Sequence, residues 1–496
     1  MAQNLRYKEF GTVKSTAGCI AQVVGFQNCF LGQLVRFGYG TEGIIMGIDT
    51  DVAQILIVKE NEPITPGSRV VATLEPFNMG TGPGLLGRII NPLGDPLDGR
   101  GPVKVDERIP YFNDAPAIMD REGLSEALET GIKLIDCLLP VGHGQRMLLL
   151  GDKMTGKTTI LVDTIINQKG KGVMCVYCAI GKPRSAIARV VETLKQHGCL
   201  EYTTVLCAPA SSSPGQQYLA PYAACSVGEY FLYKKGRVFI AFDDFTKHAW
   251  AYRELSLLMQ VPPGRDSYPG DIFYLHSRMI ERAAKLSKKY GQGAMTFIPA
   301  VELLEGDLTA YVPTNLVSMT DGQIVLSMPL FNEGFRPAVD VGLSVSRVGS
   351  RVQWKATKDV SKSLRMEFIQ YKELLRINKL SSGGQSEEMR EKMAEGKILE
   401  ALLTQQANKP VPIEIQIVVF FAKNENMLKG LDRKQVLDFQ AGLNAFIQEH
   451  DGQIFTQLRE TKAFDDRLKE RVKAVLGEYL KMIRAQSEED EEAEVA

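Results

Sequence analysis

The stretch MLLLGDKMTGKTTILVDTIINQ, residues 147–168, decides how the chain is read. An apolar run from Met147 to Leu150 leads into Gly151-Asp152-Lys153-Met154-Thr155-Gly156-Lys157-Thr158, which fits GxxxxGK[ST], and a helical text opening Thr158-Thr159-Ile160 follows. Strand, glycine-rich loop and helix N-terminus in that order form a phosphate cradle. Backbone N–H groups and the helix end surround the phosphates, Lys157 reaches the β/γ oxygens, and the Thr158 hydroxyl ligates Mg²⁺. Residues 151–159 are therefore expected to bind ATP or ADP.

Around this motif, short apolar runs alternate with helical stretches: Val173 to Cys178, Thr204 to Cys207, Val238 to Phe242 and Met295 to Ile298. The alternation predicts a mostly parallel sheet wrapped by helices, with ligands at the carboxyl ends of the strands. The run Arg237 to Phe242 ends in Asp243-Asp244, and Asp243 is the carboxylate expected to hold the metal with Thr158.

Upstream, Thr12 to about Glu75 is strand-like, with runs such as Ile44 to Ile48 and Ala53 to Val58, and suits a small antiparallel barrel. A Gly/Pro-rich connector follows. Its Gly82, Gly84 and Gly87 spell GxGxxG, but Pro92 and Pro96 disfavour the long helix that a dinucleotide site needs, so turns are expected. From about Asp359 the text is helical: Leu364, Phe368, Tyr371 and Leu375, then Leu468, Val472, Val475, Tyr479 and Ile483, recur at helical spacing. The final SEEDEEAEVA is expected to be solvated and disordered. The predicted fold is multi-domain: an N-terminal β-barrel (1–80), a central P-loop α/β domain with a mostly parallel sheet (81–358), a C-terminal α-helical bundle (359–486) and an acidic tail (487–496).

With 58 Lys+Arg against 59 Asp+Glu in 496 residues, the balance excludes the strongly basic composition expected if the whole protein gripped nucleic-acid backbone, and leaves room for a local patch. No apolar run is long enough to span a bilayer and MAQNLRYKEF is no signal peptide, so the chain reads as cytosol-facing. Among 8 cysteines, Cys175 and Cys178 form a CxxC inside an apolar run with no second ligand pair nearby, which predicts buried, reduced thiols.

Together with GDKMTGKT, the segments at residues 242–286 (FDDFTKHAWAYRELSLLMQVPPGRDSYPGDIFYLHSRMIERAAKL), 311–324 (YVPTNLVSMTDGQI) and 337–349 (PAVDVGLSVSRVG) resemble the alpha subunit of rotary F-type ATP synthases. The resemblance runs from about Phe10 into the C-terminal bundle. It implies a ring in which three alpha subunits alternate with three catalytic beta subunits around a gamma shaft, peripheral on the cytoplasmic or equivalent face of an energy-transducing membrane. The nucleotide site on alpha is then mainly non-catalytic and regulatory. Contact with the membrane is through the complex only, and no nucleic acid is implied.

In the catalytic sibling, a Glu after the strand that follows the P-loop positions water; the matching place here is Lys182, a poor general base as an ammonium. Lys182 replaces the family's Gln, Met154 another Gln, and Ala407 one of two Gln residues flanking the base, leaving Gln405. The resemblance also places Phe331 and Arg336 near the adenine. It implies that Arg347 is an arginine finger projected into a neighbour's catalytic site, supported by Ser344 at that interface. The family's N-terminal extension docks a peripheral stalk, whereas barrel-like text starts here near Lys8, so the stalk attaches differently or the usual stator contact is lacking. The alternative is a self-sufficient P-loop hexameric ATPase, a secretion motor or Rho-like helicase, which needs a water-positioning Glu in the same chain. A ring component that has lost useful nucleotide binding is a third reading.

Overall fold

Alternating inward residues close the N-terminal strands into a barrel. In the computed structural model, which describes residues 8–380 and 387–495, these are β1 (Glu9–Ala17), β2 (Ile20–Val24), β3 (Gln33–Phe37), β4 (Glu42–Ile48), β5 (Val52–Lys59) and β6 (Arg69–Pro76). Their order is β1-β2-β5-β4-β3-β6, with β6 pairing back onto β1. Residues two apart share a strand face. Accordingly Ala21 and Val23, Val35 and Phe37, Ile55 and Ile57, and Val70 and Ala72 fill the interior with Val13 and Ile45.

By packing, the chain divides into two compact units built from separated segments. The first comprises Met1–Gly123, His143–Lys153 and Gln168–Asp321. Besides the barrel it holds parallel strands in the order Leu148–Gly151, Ala294–Glu302, Arg237–Asp243, Val173–Ile180, Thr203–Ala208 and Ile89–Ile90. Each apolar run read from the sequence falls on one of them. Their side chains are buried on both faces, as parallel strands covered by helices require. Cys175 and Cys178 lie in this core as free thiols, and burial holds both well above the ordinary thiol pKa. In the connector, Pro83–Leu85 form one 3₁₀ turn in place of a dinucleotide-binding helix.

Burial of imidazoles in this unit gives stability a pH dependence. His248 Nδ1 lies 3.3 Å from His276 Nε2, both rings fully buried. Desolvation pushes His276 down to about 3 and lowers His248 well below its ordinary value, with repulsion from His276 adding to the second shift. His143 is pushed down to about 3 by desolvation and by the charges of Arg237, Lys171 and Lys285. The unfolded chain takes up these protons near pH 6.5 and the folded chain does not. Stability is therefore full above about pH 6.5 and falls towards pH 3, by about 1.4 kcal/mol per pH unit for each imidazole. Denaturant midpoints measured at descending pH should show this slope, and His276→Phe should reduce it; a midpoint flat through the acid range would refute the assignment.

The second unit comprises Leu124–Gly142, Met154–Asn167 and Gly322–Ala496. At its centre is the helix Ile413–Asn424, buried from Ile413 to Ala422, as befits a helix apolar on every side. It packs against the helices Lys355–Ser361, Glu387–Leu403, Arg433–Asp451 and Asp466–Val495. The helix Leu364–Leu380 buries Leu364, Phe368 and Tyr371, as expected. Two expectations need correction. On the last helix Leu476 occupies the inner stripe and Val475 is half-buried, because a 3.6-residue turn carries the face from Val472 to Leu476 and Tyr479. The acidic end was expected to be disordered, yet this helix continues through it to Val495; Glu and Ala are good helix formers.

Candidate nucleotide site

The glycine-rich loop joins the strand Leu148–Gly151 to the helix Lys157–Ile166. Its first part is held within the first unit: the Gly151 carbonyl accepts from Leu303 N–H at 3.0 Å and Asp152 Oδ1 from Gly306 N–H at 2.9 Å. Lys153 lies 3.4 Å from Glu302. The second part starts at Met154, an exposed side chain on a left-handed backbone (φ 62°). Gly156, the residue before the helix, has φ 104°, which glycine adopts without the strain that a Cβ brings. Thr155 and Lys157 are buried.

Within the second unit, Met154, Thr155, Gly156 and Thr159 line a cavity of about 470 Å³ together with Phe331, Arg336, Gln405 and Ala407. Residues far apart in sequence are thus brought to one pocket, large enough for a small ligand. The Arg336 guanidinium stacks 4.6 Å from the Phe331 ring centroid, and the Arg336 carbonyl accepts from Gln405 N–H at 2.8 Å. Gln405 spends its amide on the backbone. Its Nε2 donates to the Gly131 and Lys409 carbonyls at 2.8 and 3.0 Å, and its Oε1 accepts from Lys133 N–H at 3.1 Å. It therefore builds the pocket wall. The apolar ring, the guanidinium and the glycine-bearing helix start suit a base and its phosphates. Lys157 and Thr158 are not among the cavity-lining residues.

In the first unit, parallel register sets Ala179 beside Asp243, so the residues just past Ile180 lie near that carboxylate. Asp243 is fully buried. Lys182 Nζ pairs with its Oδ1 at 2.7 Å, and the Tyr177 hydroxyl donates to its Oδ2 at 2.9 Å. Asp244, which follows, caps the helix Phe245–Leu258 by accepting from Thr246 N–H at 2.7 Å. Asp243 thus sits buried between a cation at ion-pair distance and a hydroxyl donor.

Arg347 follows the short strand Val345–Ser346, which pairs antiparallel with Gly322–Leu326. Its side chain is exposed and forms no ion pair among the described residues. Ser344, expected at an interface, is fully buried: its hydroxyl donates to the Asp340 carbonyl at 2.5 Å and accepts from Val325 N–H at 2.9 Å. Arg365 donates to the Ser344 and Val341 carbonyls at 2.9 and 3.2 Å. Support for Arg347 thus comes from inside the unit.

The family model for the ATP synthase alpha/beta family, nucleotide-binding domain, matches residues 131–346, and that for the ATP synthase alpha/beta chain, C terminal domain, matches residues 353–479. The ATP synthase subunit alpha of Caldanaerobacter subterraneus subsp. tengcongensis is 42% identical over 481 residues, covering 97% of this chain and 95% of that protein. That of Clostridium botulinum (strain Hall) is 42% identical over 476 residues, covering 96% and 94%. The chain belongs to the ATP synthase alpha subunit family.

Sequence reading missed several residues of this family member's site. Lys133 donates from Nζ to the Thr404 carbonyl at 3.0 Å, and desolvation pushes its ammonium down to about 7. Asp163 Oδ1 accepts from Asn408 N–H at 2.8 Å, tying the loop after Thr404 to the P-loop helix. Tyr177 lies within an apolar run, and Arg365 opens a helix; neither carries a local signal. Among the described residues, no helix is long and apolar enough to cross a membrane.

Proposed function

We propose that this chain is the non-catalytic, regulatory nucleotide-binding alpha subunit of a rotary ion-translocating ATP synthase/ATPase. It alternates with three catalytic beta subunits around a gamma shaft and extends Arg347 into a neighbouring catalytic site. The complex lies on the cytoplasmic or equivalent face of an energy-transducing membrane and carries the chain there. The observation that carries this reading is Lys182. Where hydrolysis needs a carboxylate or amide to position water, this chain has an ammonium committed to Asp243 at 2.7 Å.

Lys157, Thr158 and the residues of the phosphate loop hold the ATP or ADP phosphates, while Phe331 and Arg336 flank the base. Thr158 and Asp243 have the donor chemistry for Mg²⁺, and Asp243 is also paired with Lys182. The test is nucleotide binding and slow turnover on one sample of the full chain, with Lys157→Ala as the blank. Binding without turnover, lost by at least about 100-fold in affinity in the blank, is the expected result. Turnover abolished by Lys157→Ala would instead make the chain a motor in its own right.

A further inference from the structure

Choosing one base over another requires polar groups that are fixed and out of water, because only then does the wrong base strand a donor or acceptor at full cost. In the cavity of the second unit, the walls formed by residues 331–338 and 404–407 hold polar side chains in two different states. Two of them are turned to the protein. The Gln405 carboxamide is committed to the Gly131 and Lys409 carbonyls and to Lys133 N–H, and Thr404 Oγ1 donates to the Glu400 carbonyl at 2.8 Å. The other two are uncommitted. Arg336 and Gln406 are exposed, and among the described residues neither the guanidinium nor the carboxamide forms a hydrogen bond or an ion pair. Arg336 stacks on the Phe331 ring, and Ala407, also exposed, brings no hydrogen-bonding side chain.

A ring with a guanidinium stacked on it holds bases without regard to identity, since every base has a π-face. Identity is carried by the base edge instead. Adenine and guanine share the N7 acceptor and differ at position six, where one has an amino donor and the other a carbonyl acceptor. A guanidinium donates to N7 of either purine, and a carboxamide meets either group at position six by turning its terminal amide over. Where a base edge offers no partner, Arg336 and Gln406 are solvated and lose little.

We infer that this cavity accepts adenine and guanine nucleotides with similar affinity. The inference rests on the proposed nucleotide-binding role and specifies the ligand class as purine nucleotides, not adenine nucleotides alone. Gln406 adapts to the base and does not select it, and no reaction is assigned to it.

The experiment is equilibrium titration of the purified full chain with ADP and with GDP in one Mg²⁺ buffer, for the parent and for Gln406→Ala. The two parent affinities should lie within about tenfold of each other, and ADP should displace bound GDP, as two ligands of one cavity must. Gln406→Ala changes an exposed side chain, and its ADP-to-GDP ratio should stay within about tenfold of the parent's. A parent preference beyond tenfold for either nucleotide overturns the inference, and this comparison needs no variant. GDP that ADP does not displace overturns it too. A ratio moved by more than tenfold in Gln406→Ala would make residue 406 a base selector, contrary to the inference. Binding of neither nucleotide to the parent would overturn the nucleotide-binding role itself, a result distinct from the others.

Discussion

Replacing Arg347 by alanine, in a ring assembled with beta and gamma partners, is expected to leave assembly and nucleotide binding intact while lowering ATP turnover by roughly 10³- to 10⁵-fold. A guanidinium presented to a transferring phosphoryl group stabilises charge that develops only in the transition state, so its removal acts on turnover more than on binding. The structure meets two requirements of such a group. The side chain is exposed and forms no ion pair among the described residues, and the segment that carries it is anchored through Ser344 and Arg365. Lysine at position 347 should restore little, since it keeps the charge but not the planar fork. Steady-state turnover of the assembled complex decides the matter, and a rate near that of the parent would dismiss the finger.

The second large effect concerns stability. Glu229, on the helix Pro214–Tyr233, and Arg282 form an ion pair at 2.6 Å with side chains only 2% and 1% exposed. The remaining polar atoms are also engaged. Arg282 donates to the Tyr111 carbonyl at 2.7 Å and to Ser226 Oγ at 3.2 Å, and Asn113 donates to Glu229 Oε2 at 2.9 Å. Glu229→Ala strands the guanidinium in the core and should cost about 3–5 kcal/mol, a fall in the first unit's melting temperature on the order of 10 °C. Replacing both partners by apolar residues of similar volume should recover most of that loss, because no orphan charge is left. Calorimetry on the single and double variants separates the two cases; a double variant as unstable as the single one would mean that packing, not charge, sets the cost.

Legibility from sequence differed between elements for identifiable reasons. The barrel and the parallel strands were readable because burial imposes a local period: two residues for β1 to β6, and continuous apolar text for strands such as Val173–Ile180 that are covered on both faces. Val475 and Leu476 show the limit of that method, since both are apolar and only packing selects between them. Ser344 shows another. Its motif suggested an interface, whereas its hydroxyl serves two backbone groups of its own unit.

By itself the sequence determined that a strand, a glycine-rich loop and a helix succeed one another at residues 147–168, and that no carboxylate stands at residue 182. These are statements about neighbours along the chain, and residue identity settles them. Tertiary structure alone decided that Lys182 meets Asp243 and that Arg282 meets Glu229. Each of those contacts depends on strand register, or on the packing of segments distant in the chain. A shift of one residue in the pairing of Ala179 with Asp243 would place different side chains beside that carboxylate.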